Sequence, residues 1–205
     1  MPDFSHEIRF GRDAGKIICG VDEVGRGPLA GPVVAAAVIL PPDFPESIRA
    51  QIRDSKKMSA KARENIYEPL KQNCRYAIAE ASVAEIDDLN ILWASMLAMQ
   101  RAVIGLCTMI DTALIDGNRS PQLDCAAFPI VKGDDKSLSI AAASIIAKVH
   151  RDRLMQKLAE TFPAYGWDRN AGYGTSEHLA ALTQFGVTAW HRATFAPVRA
   201  AKAAN

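Results

Sequence analysis

The residues best suited to chemistry are four acids at the ends of apolar runs. Asp22 and Glu23 follow the β-branched segment 16–21, Asp116 follows 112–115, and Asp134 comes shortly after 128–131. Each lies within three residues of a glycine. In open α/β sheets, sites gather beyond strand ends, so several such ends could deliver carboxylates to one spot. Crowded carboxylates repel and shift each other's protonation. A hard divalent cation removes that conflict, and an all-oxygen donor set suits magnesium or manganese. Two such ions, about 4 Å apart, support in-line hydrolysis of a phosphodiester without a protein nucleophile. Taken singly, each acid could equally cap a helix or face solvent.

The elements that must position these acids follow from periodicity and punctuation. Residues 16–21 and 33–40 read as buried strands, separated by the Gly/Pro-rich turn 25–32. That link is too short for a crossover helix, so the pair should be antiparallel. Ser59 is a plausible N-cap for a helix over 60–73, and 75–81 reads as a third strand. Ser82 to Glu85 has the capping-box pattern. It opens a long helix that places Ile86, Leu89, Trp93, Met96, Met99 or Gln100, and Val103 near one face, as core residues. Short strands at 112–115 and 128–131 come next. A helix over 139–160 is broken by Phe162-Pro163, and Thr175 or Ser176 caps a short helix that ends at Phe185 before Gly186. Residues 1–15 and 199–205 read as frayed ends. The whole is an α/β pattern with a mixed sheet.

Bulk properties bound the function. The chain has 205 residues, 49% hydrophobic and 23% charged, with net charge +1. One domain with an ordinary core is expected. A surface for polyanions must be local, because the chain as a whole is not basic. Four cysteines form no CxxC pair, and Cys19, Cys107 and Cys125 sit in apolar surroundings, as buried free thiols would. No signal-peptide pattern and no apolar run approaching a membrane span is present, so a reduced, cytoplasmic protein is expected.

Eight blocks, in order, resemble the bacterial ribonuclease HII family. The first is Val21-Asp22-Glu23-Val24-Gly25-Arg26-Gly27-Pro28-Leu29-Ala30-Gly31-Pro32-Val33. Asp54-Ser55-Lys56-Lys57-Met58-Ser59, the segments 85–92 and 114–118, and Lys132-Gly133-Asp134 follow. The segment 139–152, Gly172-Tyr173-Gly174-Thr175 and His191-Arg192-Ala193-Thr194-Phe195 complete the series. The resemblance spans roughly residues 18–198. It implies a ribonuclease H-like α/β fold: a mixed sheet flanked by helices, with a helical C-terminal extension at about 163–198 within a single domain over 1–205.

The resemblance also implies an activity: metal-dependent hydrolysis of the RNA strand of RNA–DNA hybrids. Incision 5′ of ribonucleotides embedded in duplex DNA is included, leaving 3′-hydroxyl and 5′-phosphate ends. The family's catalytic acids map onto Asp22, Glu23, Asp116 and Asp134, the first three as metal ligands for Mn2+ or Mg2+, two ions per site during catalysis. Asp152 is also a family acid, ranked below Asp134 because it sits well into a helix. Gly25, Arg26 and Gly27 resemble the motif that reads the ribose 2′-hydroxyl, the group that separates RNA from DNA. Tyr173 maps onto the tyrosine that stacks on the sugar at the RNA–DNA junction. Many relatives have proline where this chain has Gly174. The expected partners are nucleic acids alone, with no membrane, and the protein is expected to be a monomer.

Other readings stay open beside it. Lys56, Lys57, Lys148, Arg151 and Arg192 either contact phosphates or form a solvated face. Asp135 either adds charge near the metals or faces solvent. Ser144 could bond a phosphate or a backbone carbonyl. His178 and His191 read as structural. Two rival functions share the pattern: a ribonuclease H-fold nuclease acting on DNA, and a non-catalytic nucleic-acid binder. The first needs no ribose sensor, and the second gains nothing from acids at a phosphate site.

Overall fold

Five strands, β1 (Ile18–Val24), β2 (Val33–Ile39), β3 (Arg75–Ala81), β4 (Thr112–Asp116) and β5 (Ala126–Ile130), form one sheet in the computed structural model, which describes residues 1–204. The order across the sheet is β3-β2-β1-β4-β5. β1 and β2 pair antiparallel, as the short link between them requires, and β3 adds antiparallel to β2. β4 lies parallel to β1 and β5 parallel to β4. The helices are α1 (Ser5–Arg9), α2 (Glu46–Arg49), α3 (Ala60–Gln72), α4 (Val83–Gly105), α5 (Leu138–Thr161), α6 (Trp167–Asn170), α7 (Ser176–Phe185) and α8 (Ala196–Ala204).

Side-chain alternation explains why β2 is apolar throughout. Val34, Ala36 and Val38 face α3 and α5, in a core with Ile66, Leu70, Ile145 and Val149. Val33, Ala35 and Ala37 face α4, with Ile86, Met99 and Val103. A strand covered on both faces needs no polar side, and each Val, Leu or Ile buried in this way contributes about 1.5–3 kcal/mol. A third core, built on Tyr165, Trp167, Leu182 and Val198, packs the C-terminal helices against Leu29, Ala30 and Met155. Helix starts follow side-chain caps: Ser59 accepts from Ala62, Ser137 from Ile140 and Thr175 from His178, and Ser82 with Glu85 forms the capping box.

Four local expectations are corrected. Residues 1–15 are ordered: α1 buries Glu7, whose Oε1 accepts from Ser139 N at 2.9 Å, Ser139 Oγ at 2.6 Å and Ser137 Oγ at 2.7 Å. Glu7 therefore caps α5 from the far end of the sequence. The frayed tail is replaced by α8, with Asn205 outside the described residues. The stripe along α4 is interrupted at Asn90 (φ 66°, ψ 165°), whose Oδ1 caps the second half by accepting from Leu92 N at 3.0 Å. The kink resets the register, so Leu89 and Trp93 are exposed while Ile86, Met99 and Val103 are buried. Cys107 is exposed, whereas Cys19 is buried. No helix among the described residues is long and apolar enough to cross a membrane.

Candidate active site

Parallel pairing delivers the C-terminal ends of β1 and β4 to one edge of the sheet. Asp22 lies near the end of β1, Asp116 is the last residue of β4, and Asp134 sits in a one-turn 3-10 helix, Gly133–Asp135, just after β5. One carboxylate oxygen from each of the three lies within 4.8 Å of the others. Asp22 and Asp134 are buried, and Asp116 is half-buried.

The electrostatics of this cluster are unbalanced. Burial, then the charges of Glu23 and Asp116, push the Asp22 carboxyl well above the usual range, against a hydrogen bond from Ser144 and the charge of Lys56. Burial raises Glu23 to about 7, although Arg26 opposes it. Asp116 is raised by burial and by Asp134, against the Gly133 amide that donates to its Oδ1 at 2.7 Å. Lys56 Nζ reaches Asp134 Oδ2 at 3.3 Å, but that lysine is largely exposed. Glu23 Oε1 meets Arg26 at 3.4 Å, while its buried Oε2 has no hydrogen-bond partner among the described residues. Such a set of hard oxygen donors, short of positive charge, suits a divalent cation.

Beside the acids runs the turn 25–32, and two buried arginines shape it. Arg192 donates to the carbonyls of Gly25 (2.6 Å), Arg26 (3.0 Å) and Gly31 (3.0 Å). Arg151 donates to Pro32 (3.0 Å), Ala30 (3.0 Å) and Ala171 (2.9 Å). Both guanidinium groups are fully buried, so each fork is spent on backbone. Gly25 adopts φ +94°, and a Cβ there would stand 2.2 Å from Arg151 Nε. Tyr173, 46% exposed, lays its ring against Gly27: a Cβ on that glycine would come within 3.2 Å of the tyrosine Cε1.

The ribonuclease HII family profile matches residues 19–198, almost the whole of this arrangement. The chain belongs to the ribonuclease HII family. It is 55% identical to ribonuclease HII of Rhodospirillum rubrum over 206 aligned residues, covering 99% of this chain and 93% of that protein. It is 58% identical to ribonuclease HII of Granulibacter bethesdensis, covering 97% and 90% respectively. The crystal structure of ribonuclease H2 from Pyrococcus horikoshii OT3 superposes with a TM-score of 0.76 at 25% identity, covering 91% of this chain and 97% of that one. As a family member the chain is a ribonuclease H, a hydrolase acting on RNA–DNA hybrids. Its sheet, flanked by helices, is the ribonuclease H-like fold.

Within this ribonuclease HII framework, several side chains sit where the sequence left a choice. Arg151 and Arg192 are neither phosphate contacts nor part of a solvated face, because both are buried against carbonyls. Nothing in their local sequence signals this, since their acceptors lie more than a hundred residues away, apart from Ala171. Lys57 pairs with Asp135 at 2.5 Å and with Asp54 at 3.5 Å, so the charge of Asp135 is answered at the surface. Asp152 pairs with Lys148 at 2.6 Å and Arg63 at 3.7 Å, outside the carboxylate cluster. It lies fourteen residues beyond the first residue of α5, about 21 Å along the axis. Ser144 bonds neither of the partners its sequence context suggests, a phosphate or a backbone carbonyl. Its hydroxyl instead meets Ser55 Oγ at 2.8 Å and bonds Asp22.

Proposed function

We propose that this chain hydrolyses the RNA strand of RNA–DNA hybrids and incises 5′ of single ribonucleotides in duplex DNA, leaving 3′-hydroxyl and 5′-phosphate ends. The observation that carries the reading is the convergence of Asp22, Asp116 and Asp134 within 4.8 Å. Together with Glu23 they would hold divalent cations, Mg2+ or Mn2+. The unpartnered Glu23 Oε2 and the raised Asp22 carboxyl fit that role, because a cation relieves both. Bound there, a pair of such ions supplies an activated water and a stabilised leaving oxygen for in-line displacement at phosphorus.

The chain's own groups do the rest. Asp22, Glu23, Asp116 and Asp134 set the donor geometry. The exposed Lys56, beside Asp134, meets a phosphate of the cut strand. The carbonyls of Gly25 and Arg26 are taken by Arg192, so the Gly25-Arg26-Gly27 turn offers its amides to the ribose 2′-hydroxyl. Tyr173 presents its ring to the sugar at the junction, a contact indifferent to base identity. Acids, turn and ring all come from one chain, which suits a monomer working as a single domain over 1–205, its part at 163–198 carrying Tyr173. Four unpaired thiols suit the reducing cytoplasm.

The test is to map cleavage on a DNA duplex holding one ribonucleotide, with Mg2+ and Mn2+ compared. The expected result is one cut 5′ of the ribonucleotide, lost in Asp22→Asn and Asp116→Asn. Equal cutting of an all-DNA duplex, or full activity in either variant, refutes the reading.

A further inference from the structure

Behind Tyr173 lies a buried cluster of three rings that the sequence leaves without a task. Trp167 and His178 are fully buried and His191 nearly so. Trp167 Nε1 donates to His178 Nε2 at 3.2 Å, and His178 Nε2 lies 3.0 Å from His191 Nε2. His178 Nδ1 lies 2.9 Å from the Tyr173 carbonyl oxygen. His191 Nδ1 accepts from the Thr188 amide at 2.9 Å.

The Thr188 hydroxyl also lies 3.0 Å from His191 Nδ1, but the Thr188 amide already points its proton at that nitrogen, so these partners favour one arrangement of protons. An indole or backbone N–H only donates, and a carbonyl only accepts. His191 therefore carries its proton on Nε2 and donates it to His178 Nε2, which also accepts from Trp167. His178 carries its own proton on Nδ1 and donates it to the Tyr173 carbonyl. Both rings are neutral, in keeping with the burial that lowers His178 and holds His191 down to about 4.

The loop this bond ends on needs holding. Ala171 (φ +48°) and Gly172 (φ +85°) are both left-handed immediately before Tyr173. A non-glycine residue such as Ala171 is strained there, so the conformation depends on the bonds that hold it. Arg151 takes the Ala171 carbonyl, Asn170 Oδ1 takes the Gly172 amide, and His178 shares the Tyr173 carbonyl with the Thr175 amide, which donates to it at 2.8 Å.

We infer that His178 is a positioning residue for ribose discrimination: through its Nδ1 bond to the Tyr173 backbone it holds the tyrosine ring against Gly27. The inference rests on the reading that Tyr173 contacts the sugar. His191 and Trp167 fix the His178 tautomer, much as an outer partner fixes the tautomer of a ligating histidine.

Two substitutions separate the two nitrogens. His178→Asn keeps an amide donor near the Nδ1 position and loses the Nε2 acceptor. His178→Gln places its amide near Nε2 and loses the donor to Tyr173. Rates are measured on a duplex with one embedded ribonucleotide, in wild-type and Tyr173→Ala backgrounds, with thermal melts alongside. The expected result is a fall in kcat/KM of about ten-fold or more for Gln, with Asn keeping kcat/KM close to wild type below its melting transition, although its melting temperature drops because Trp167 and His191 lose their shared acceptor. In the Tyr173→Ala background the Gln substitution adds nothing further. If Tyr173→Ala is impaired but Asn and Gln fall equally, the positioning role is overturned and the sugar contact stands. If Tyr173→Ala cleaves like wild type, the sugar contact itself falls. Nitrogen-15 NMR of the unmodified protein is a check independent of variant folding: Nδ1-protonated His178 and Nε2-protonated His191 are expected, and the opposite tautomers overturn the inference.

Discussion

Asp116 Oδ1 accepts the backbone N–H of Gly133 at 2.7 Å. The bond joins the end of β4 to the turn that begins the Asp134 helix, so two carboxylates from separate segments share one hinge point. Their spacing is thereby tied to the backbone, and the Asp116 charge is partly answered by that amide.

Gly133→Ala tests this hinge. The added Cβ would stand 2.6 Å from Ile140 Cδ1 and 3.2 Å from Asp116 Oδ1. Ile140 can rotate aside at a cost of about 1–3 kcal/mol, while Asp116 Oδ1 is pressed away from its place beside the Gly133 amide. Calorimetric titration should show divalent-cation affinity reduced by about 10- to 100-fold. Unchanged affinity would mean the Gly133 contact sets nothing.

Stability without metal should fall as pH rises. Glu23 titrates near 7 in the folded protein against 4.5 in an unperturbed chain. Between those values the folded state binds more protons than the unfolded one, so stability declines from about pH 4.5 to pH 7, by on the order of 3 kcal/mol. Urea melts in chelator should show wild type losing more stability than Glu23→Gln over this window. Saturating Mg2+ should stabilise more at pH 8 than at pH 5. Parallel curves for the two proteins would rule out this origin.

Gly25→Ala should unfold more easily. The φ of +94° strains any side chain, and the new Cβ would overlap the fully buried Arg151 guanidinium. Strain and overlap together should cost about 2–4 kcal/mol, read as a lowered Tm by circular dichroism. A melt indistinguishable from wild type would contradict the tight packing of this turn.

Arg192→Lys and Arg192→Gln together separate shaping a loop from touching phosphate. An ammonium cannot reach all three carbonyls that the guanidinium serves. Leaving even one or two unsatisfied should destabilise by about 1–3 kcal/mol each. The dependence of hybrid binding on salt should keep its slope. In Arg192→Gln, which removes the charge, the slope should hold as well; a slope lowered by about one charge there would instead place Arg192 on a phosphate.

Asp152→Asn and Asp134→Asn should part company. Asp152 makes part-exposed ion pairs with Lys148 and Arg63, each worth about 1 kcal/mol or less. Its variant should cleave within about five-fold of wild type, while Asp134→Asn loses metal-dependent turnover. Equal loss in both would return Asp152 to the chemistry.

Local signals carried much of the fold. β3 falls on 75–81, as its composition and flanks indicate, and Ser59, Ser82 and Thr175 cap helices because capping is read within three residues. The acids stood out for the same reason, each ending an apolar run beside a glycine. The helix through 83–105 was legible as a helix, but not its break, since Asn90 adopts a conformation that its neighbours' apolar spacing does not announce.

The class of fold, the family and the acids that could hold metal are legible in chain order alone, because all of these are written in short, contiguous patterns. Tertiary structure alone decided which acids meet, by laying β4 parallel to β1 and bonding Asp116 to Gly133. It also decided that Arg151 and Arg192 face inward, that Glu7 caps α5, and that His178 bonds the Tyr173 backbone. Partners far apart in the chain leave no periodic trace, and a buried cation or imidazole is explained only by the carbonyls that surround it.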